Sequence, residues 1–259
     1  MNIYIGTDKQ DMAQHAADAA AAKIREAIAA RGEARIIVAT GASQFEFLAA
    51  LVKEPGIDWT KVTGFHLDEY VGLPVSHKAS FRGYMRERFV SKTPQPMKVF
   101  NEVDGEAADP AAECARLERL VREAPIDVAC IGFGENGHIA FNEPGTSLSS
   151  RTSCVYLTPS TIKDNARLFF KGKEKEVPTR ALSMGVGTIC EAKKIILLAF
   201  GEGKQNAIKG CVEGPMTQFC TASALQAHND CWIFCDEAAA KKLTLKKYYA
   251  WRSATKLGI

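Results

Sequence analysis

Apolar residues in this chain recur with two different periods. Short, nearly continuous runs at Ile3-Tyr-Ile5, Arg35-Ile-Ile-Val-Ala39, 62–67, 126–131, 194–200 and 231–235 have the length and β-branched content of buried strands. Between them lie amphipathic stretches at 9–31, 44–53, 81–89, 109–123, 160–170, 204–211 and 222–227, which predict helices. Asp8 stands where a helix cap is needed and Gly32 where a helix ends, while Pro55 stops the second helix and Asp109-Pro110 has cap and first-turn chemistry. Residues 153–157 read as extended. Continuous apolar strands alternating with helices predict an α/β fold, a mostly parallel sheet with helices on both faces. Ligands of such sheets bind beyond the carboxyl ends of the strands. The turns at Thr40 and His138, and Asp68, all fall at predicted strand ends, so one shared pocket is expected.

The chain has 259 residues, enough for one large domain, and nothing forces a split, so residues 1–259 read as a single domain. A net charge of +3 with dispersed lysines and arginines gives no footprint for nucleic acid. The longest apolar runs are far shorter than a membrane span. The opening Met1-Asn-Ile-Tyr-Ile5 lacks a basic leader segment and reads as a first strand. Eight cysteines sit without the two-residue spacing of a zinc or redox motif, several of them inside apolar runs. They read as reduced core residues of a cytoplasmic protein.

Candidate chemistry concentrates at Gly132-Phe-Gly-Glu-Asn-Gly-His-Ile-Ala-Phe-Asn-Glu-Pro144. Its glycines allow a tight turn after a strand, and the turn carries Asn136, His138 and Glu143. An imidazole flanked by an amide and a carboxylate suits acid/base work near neutral pH. A capping histidine is the bland alternative, which the density of the cluster disfavours. Asp68, beside Glu69, reads locally as a helix cap or as an acid/base group with equal weight. Thr40, Gly41, Ala42 and Ser43 join a strand to a helix. Backbone N–H groups and two hydroxyls there suit a phosphate, with Ser43 as an N-cap compatible with that role. His15, His66, His77 and His228 form no cluster at metal-ligand spacing, so neither metal nor other cofactor is expected.

This segment resembles the active-site segment of the glucosamine-6-phosphate deaminase family, also called glucosamine-6-phosphate isomerases. A second stretch supports the resemblance, Phe65-His-Leu-Asp-Glu-Tyr-Val-Gly-Leu-Pro74 followed by Ser80-Phe-Arg-Gly-Tyr84, as do smaller matches at Thr40-Gly41, Arg167, Gly185-Val-Gly-Thr188 and Lys204. The resemblance implies a modified doubly wound sheet. It gives Asp68 the transfer of the C2 proton to C1, His138 with Glu143 the opening of the sugar ring, and Arg167 and Lys204 the phosphate. Arg167 and Lys204 are singled out by the resemblance alone. Asn136 stands where some members carry aspartate, so any part it plays is positional. A second glycine of the family is Ala42 here. Ser153 and Val155 replace basic residues that bind an amino-sugar phosphate activator in some members, which speaks against allosteric activation.

The implied reaction converts D-glucosamine 6-phosphate and water to D-fructose 6-phosphate and ammonia. Galactosamine 6-phosphate is an alternative substrate differing at one hydroxyl, and a 6-phosphogluconolactonase is the alternative enzyme. Lactone hydrolysis needs no carbon-bound proton transfer, and Asp68-Glu-Tyr70 with Phe141-Asn-Glu-Pro144 favours the deaminase. A non-catalytic sugar-phosphate sensor ranks below these, because such regulators add a helix-turn-helix for which a chain starting at its first strand has no expected room. The expected partner is a small sugar phosphate, with the protein working as a monomer or homo-oligomer.

Overall fold

The chain begins with β1 (Asn2–Gly6), α1 (Lys9–Arg31), β2 (Ala34–Val38), α2 (Phe45–Leu51), β3 (Val62–His66), β4 (Asp68–Tyr70) and α3 (Phe81–Arg88) in the computed structural model, which describes residues 1–257. It continues through β5 (Val99–Asn101), α4 (Pro110–Arg122), β6 (Val128–Ile131), β7 (Ser153–Tyr156), α5 (Pro159–Phe169) and β8 (Arg180–Ser183). The last elements are α6 (Val186–Cys190), β9 (Lys194–Ala199), α7 (Gln205–Glu213), β10 (Cys231–Asp236) and α8 (Lys246–Leu257). Seven strands form one parallel sheet in the order β1-β10-β9-β6-β2-β3-β5. A separate antiparallel sheet has the order β4-β8-β7.

Successive strand residues point to opposite faces, and both faces are apolar. Ile36, Val38, Val128, Cys130, Ile196 and Leu198 pack against α1, α2 and Met85 of α3. Ile37, Ala129, Ile131, Ile195 and Leu197 pack on the other side against Leu117 and Val121 of α4, Ile189 of α6 and Ile208 of α7. The expected two-sided parallel sheet is therefore present. The buried face of α1 is mostly alanine (Ala13, Ala16, Ala17, Ala20, Ala21), so its backbone can lie close to the sheet. Its ends are as the sequence suggested: Asp8 accepts from the Asp11 N–H, and Gly32 closes the helix at φ 79°.

Several expectations need correction. Asp68 does not end a sheet strand: β3 stops at His66, and Asp68 opens β4 in the small sheet. Ser43 makes no cap bond; the chain takes a 3-10 turn at Ala42–Gln44 before α2. Thr221–Ala227 is also a 3-10 turn. β4, β5, β8, α6 and α8 were not anticipated, being short or lacking a clean apolar period.

Asp68 caps no helix among the described residues; α3 is capped by Ser80, whose Oγ accepts from Gly83 N at 3.2 Å, and the neighbour of Asp68 binds the rest of that turn. Fully buried Glu69 accepts hydrogen bonds from Ser80 Oγ at 2.8 Å, Arg82 N at 2.9 Å and Phe81 N at 3.2 Å, gathering the first turn of α3 around one carboxylate. Arg82 Nε lies 3.4 Å from the same carboxylate, and its other nitrogens donate to Asp104 and Glu106. Removing one partner of a buried, hydrogen-bonded ion pair costs about 3–5 kcal/mol, whereas losing an exposed helix cap costs about 1 kcal/mol. Glu69→Ala is thus expected to destabilise the protein several times more than Asp8→Ala in urea unfolding. Equal losses would show that the Glu69 carboxylate does not hold this region.

Candidate active site

Four adjacent strands of the main sheet, β3, β2, β6 and β9, end at a cavity of about 300 Å³. After β2 come Thr40, Gly41, Ala42 and Ser43; after β3, Leu67 and Asp68; after β6, Gly132 to Glu135 and His138; after β9, Gly203 and Lys204. Phe81 of α3 and Asn165, Leu168 and Phe169 of α5 line the facing wall. The shared pocket expected from the strand ends is thus present. A larger groove of about 970 Å³, lined by Phe45, Val52, Trp59, Arg88 and Pro94, includes none of these strand-end turns.

His138 is held by its own loop. Its backbone N–H donates to Asn136 Oδ1 at 3.1 Å, and its carbonyl accepts from Gly134 N at 2.9 Å. The imidazole lies so close over Gly134 that a Cβ there would sit 2.3 Å from a ring carbon, so any side chain at 134 would push the ring out of place. The chain then turns back through Ala140, at φ 50°, a left-handed conformation costly for a residue with a Cβ. Asn142 pins that turn by donating through Nδ2 to the carbonyls of Ile139 and Met184, both at 2.8 Å. The bend brings Glu143 behind the ring. Oε2 lies 3.3 Å from His138 Nδ1, within ionic range but off the line of a hydrogen bond, and accepts from Asn136 Nδ2 at 2.9 Å. Burial pushes the Glu143 carboxyl up, but the His138 imidazole, the Thr161 hydroxyl and the Asn136 amide outweigh it and hold it down at about 2. Glu143 is therefore a fixed negative charge near neutral pH.

Asp68 is in the opposite situation. Burial, with the Glu69 charge adding to it, pushes its carboxyl from 3.8 up to about 8. Across the cavity, Lys204 donates through Nζ to the Phe133 carbonyl at 2.8 Å, and burial lowers its pKa despite the carboxylates of Glu135 and Asp164 nearby. The 40–43 turn is tied from behind, since Tyr84 OH donates to the Gly41 carbonyl at 3.1 Å.

Asp68, His138, Thr40, Gly41, Ala42, Ser43 and Lys204 line the one cavity. Asn136 and Glu143 stand behind His138. Arg167 does not line it; its side chain is 59% exposed and ion-paired to Glu135 at 3.0 Å. Sequence reading missed Phe81, Asn165 and Glu135 on the wall, and His66 and Glu69 behind Asp68. Only the Ser80-Phe-Arg-Gly-Tyr84 match hinted at Phe81. Among the described residues, no group of three or more His, Cys, Asp or Glu side chains is placed to hold a metal, and no helix is long and apolar enough to cross a membrane.

Comparison with known proteins first gives a broad class. The profile described as glucosamine-6-phosphate isomerases/6-phosphogluconolactonase matches residues 7–233. Within it, the chain belongs to the glucosamine-6-phosphate deaminase family. It is 46% identical over 207 residues to the glucosamine-6-phosphate deaminase of Latilactobacillus sakei, covering 80% of this chain and 86% of that one. It is 39% identical over 263 residues to that of Cellvibrio japonicus, covering 96% and 94%. A solved structure of a monomeric glucosamine-6-phosphate deaminase superposes with a TM-score of 0.85 at 33% identity, covering 93% of this chain and 99% of that one. A 6-phosphogluconolactonase from Shewanella baltica superposes with a TM-score of 0.73 at 19% identity over 91% and 97%, a likeness of fold alone.

A carboxyl that binds its proton more tightly folded than unfolded stabilises the fold at low pH, and that contribution is lost as pH rises toward its folded value. For Asp68 the loss runs from about 3.8 to about 8. The Asp68→Asn variant, which carries no titrating carboxyl, should gain in stability relative to the unmodified protein between about pH 5 and about pH 8.5. Urea unfolding at the two pH values measures this, and a pH-independent difference would refute the raised proton affinity.

Proposed function

We propose that the protein is a glucosamine-6-phosphate deaminase, converting D-glucosamine 6-phosphate and water to D-fructose 6-phosphate and ammonia. The observation that carries this reading is that a proton-holding carboxyl, Asp68, and a carboxylate-backed imidazole, His138, line one cavity that also holds a half-buried lysine, Lys204. His138 moves a proton from the anomeric hydroxyl toward the ring oxygen, and the fixed charge of Glu143 stabilises the imidazole while it carries that proton. Asn136 positions the loop and adds no charge. Asp68 then takes the C2 proton of the open-chain sugar while a proton of the C2 ammonium passes to the C1 oxygen, leaving an enolamine, and Asp68 returns its proton to C1. The resulting C2 iminium adds water and releases ammonia. One carboxylate serves both carbons because they are adjacent.

Asp68 must be ionised to act as a base, yet burial favours its neutral form. The ammonium at C2 of the substrate supplies an opposite charge beside it, which favours the carboxylate. The amino sugar thus helps to ionise the base that deprotonates it, whereas a lactone brings no such charge. The phosphate is taken by Lys204, by the turn of Thr40, Gly41, Ala42 and Ser43, and at the rim by Arg167. We take the chain as one domain over residues 1–259, working in the cytoplasm as a monomer or homo-oligomer. Eight free cysteines support that compartment.

Ammonia release from glucosamine 6-phosphate, galactosamine 6-phosphate and the 6-phosphogluconolactone separates the three substrates, and glucosamine 6-phosphate is expected to react fastest. Asp68→Asn should abolish both deamination and exchange of the C2 proton with deuterated solvent, while substrate still binds. Exchange that persists in this variant would remove Asp68 from the reaction.

The two cations should differ in weight. A charge-assisted hydrogen bond is worth about 1.5–3 kcal/mol, so Lys204→Ala should raise KM roughly tenfold or more. Arg167→Ala should raise it less, because an exposed guanidinium already paired with Glu135 offers the phosphate less net gain. An Arg167 effect equal to that of Lys204 would place both at the phosphate in the bound state.

A further inference from the structure

His66, the last residue of β3, has an unusual environment for a polar side chain. It is fully buried, and neither ring nitrogen has a hydrogen-bond partner among the described residues. Buried polar atoms are nearly always paired, so an imidazole left unpaired at both nitrogens calls for an explanation. Parallel pairing of β3 with β2 fixes its backbone opposite Val38. Its ring meets Phe81 edge-on, with centroids 6.1 Å apart. Nε2 points toward the carboxyl of Asp68, 3.8 Å from Oδ1. That is too long for a hydrogen bond, but closing it to the usual 2.9 Å or so takes a shift of roughly 1 Å.

We infer that His66 is a positioning residue for Asp68, a neutral imidazole whose Nε2–H donates to the Asp68 carboxylate once that group ionises. The inference rests on the reading of Asp68 as the base. The other groups acting on this pair set its limits. Glu69, next along β4, raises the cost of a second negative charge at Asp68. Arg82 of α3 disfavours a positive charge on His66. Tyr70 is buried in the same cluster with its hydroxyl unpaired. Burial and Arg82 hold the imidazole down at about 3, so it stays neutral where the enzyme works and is available as a donor rather than a counter-ion. In the free protein Asp68 keeps its proton and the contact is open. With substrate present, the carboxylate forms and the waiting N–H stabilises it without an incoming water, which would compete for the C2 proton.

The test is a 13C NMR titration of the Asp68 carboxyl in the unmodified protein, His66→Phe and His66→Gln, together with the pH profile of kcat/KM. Phenylalanine keeps the ring packing and removes the donor; glutamine restores an N–H near the Nε2 position. The Asp68 titration, and with it the rising limb of kcat/KM, should move up by about one pH unit in His66→Phe, a tenfold change. It should return most of the way in His66→Gln, with KM little changed at high pH. An unmoved Asp68 titration in His66→Phe would overturn the inference. The carboxyl titration does not need turnover, so it decides the matter even if glucosamine 6-phosphate is not the substrate; persistence of C2 exchange in Asp68→Asn counts instead against the function. Should His66→Phe fail to fold, 15N shifts of the unmodified protein decide. They should place the ring proton on Nε2 and move as Asp68 ionises, and a proton on Nδ1 would overturn the proposal.

Discussion

The buried carboxylate of Glu69 is the interaction on which the site depends. It is where the chain leaves the main sheet, one residue into β4, and it collects the donors of Ser80, Phe81 and Arg82 at the start of α3. That bundle decides where α3 lies, and α3 supplies two further parts of the cavity. Phe81 forms its wall, and Tyr84 reaches across to the Gly41 carbonyl to hold the 40–43 turn. The same charge sits beside Asp68 and helps to keep that group protonated. One side chain thus fixes the geometry of the site and biases its ionisation, so a change at Glu69 cannot be read as purely structural or purely functional.

Asp68 in the cavity and Glu143 behind His138 are two carboxyl groups held in opposite states. Both are buried, and burial pushes both upward. Their neighbours separate them. Glu143 has the imidazole of His138, the amide of Asn136 and the Thr158 N–H at 3.1 Å, all of which favour its charged form. Asp68 has Glu69 next to it and, among the described residues, no donor within hydrogen-bond distance. Carboxyl groups pushed apart in this way suit distinct roles in acid/base catalysis, and the proposed mechanism uses Glu143 as permanent charge and Asp68 as proton carrier.

Long-period features of the chain were legible in its sequence, and contacts between distant segments were not. The α1 helix shows its cap, its alanine face and its terminal glycine in one continuous stretch, so both of its ends could be read directly. The two-sided sheet follows from apolar runs such as Val128–Ile131. The three-residue strands β4 and β5 have too few positions for a period, and they exist because β8 and β3 offer them backbone partners. The pairing of His138 with Glu143 was expected from the crowding of polar groups in that segment and from the family resemblance, but the turn that achieves it, Ala140 in the left-handed region pinned by Asn142, leaves no compositional mark. His66 was set aside as a histidine without metal-ligand company. Its neighbour Asp68 was plain in the motif, but the imidazole's burial and its two unpaired nitrogens are visible only once β3 is placed between β2 and β5 and under α3.

On the proposed reading of Asp68 as the base, its raised proton affinity also bears on selectivity. A base that stayed ionised in the empty cavity would be a buried unpaired charge, expensive to hold, and would react with any sugar phosphate placing an acidic C–H near it. A base kept neutral until a cation arrives reacts only with ligands that bring one. An ammonium at C2 lies within a bond or two of the proton to be removed, so the group that is to leave as ammonia is also the one that charges the base. The pairing is strongest while the carboxylate is charged and weakens as it takes the C2 proton, so it acts by ionising the base in the bound complex rather than by stabilising the transition state. Selectivity for the amino sugar therefore needs no dedicated contact to nitrogen beyond Asp68 itself.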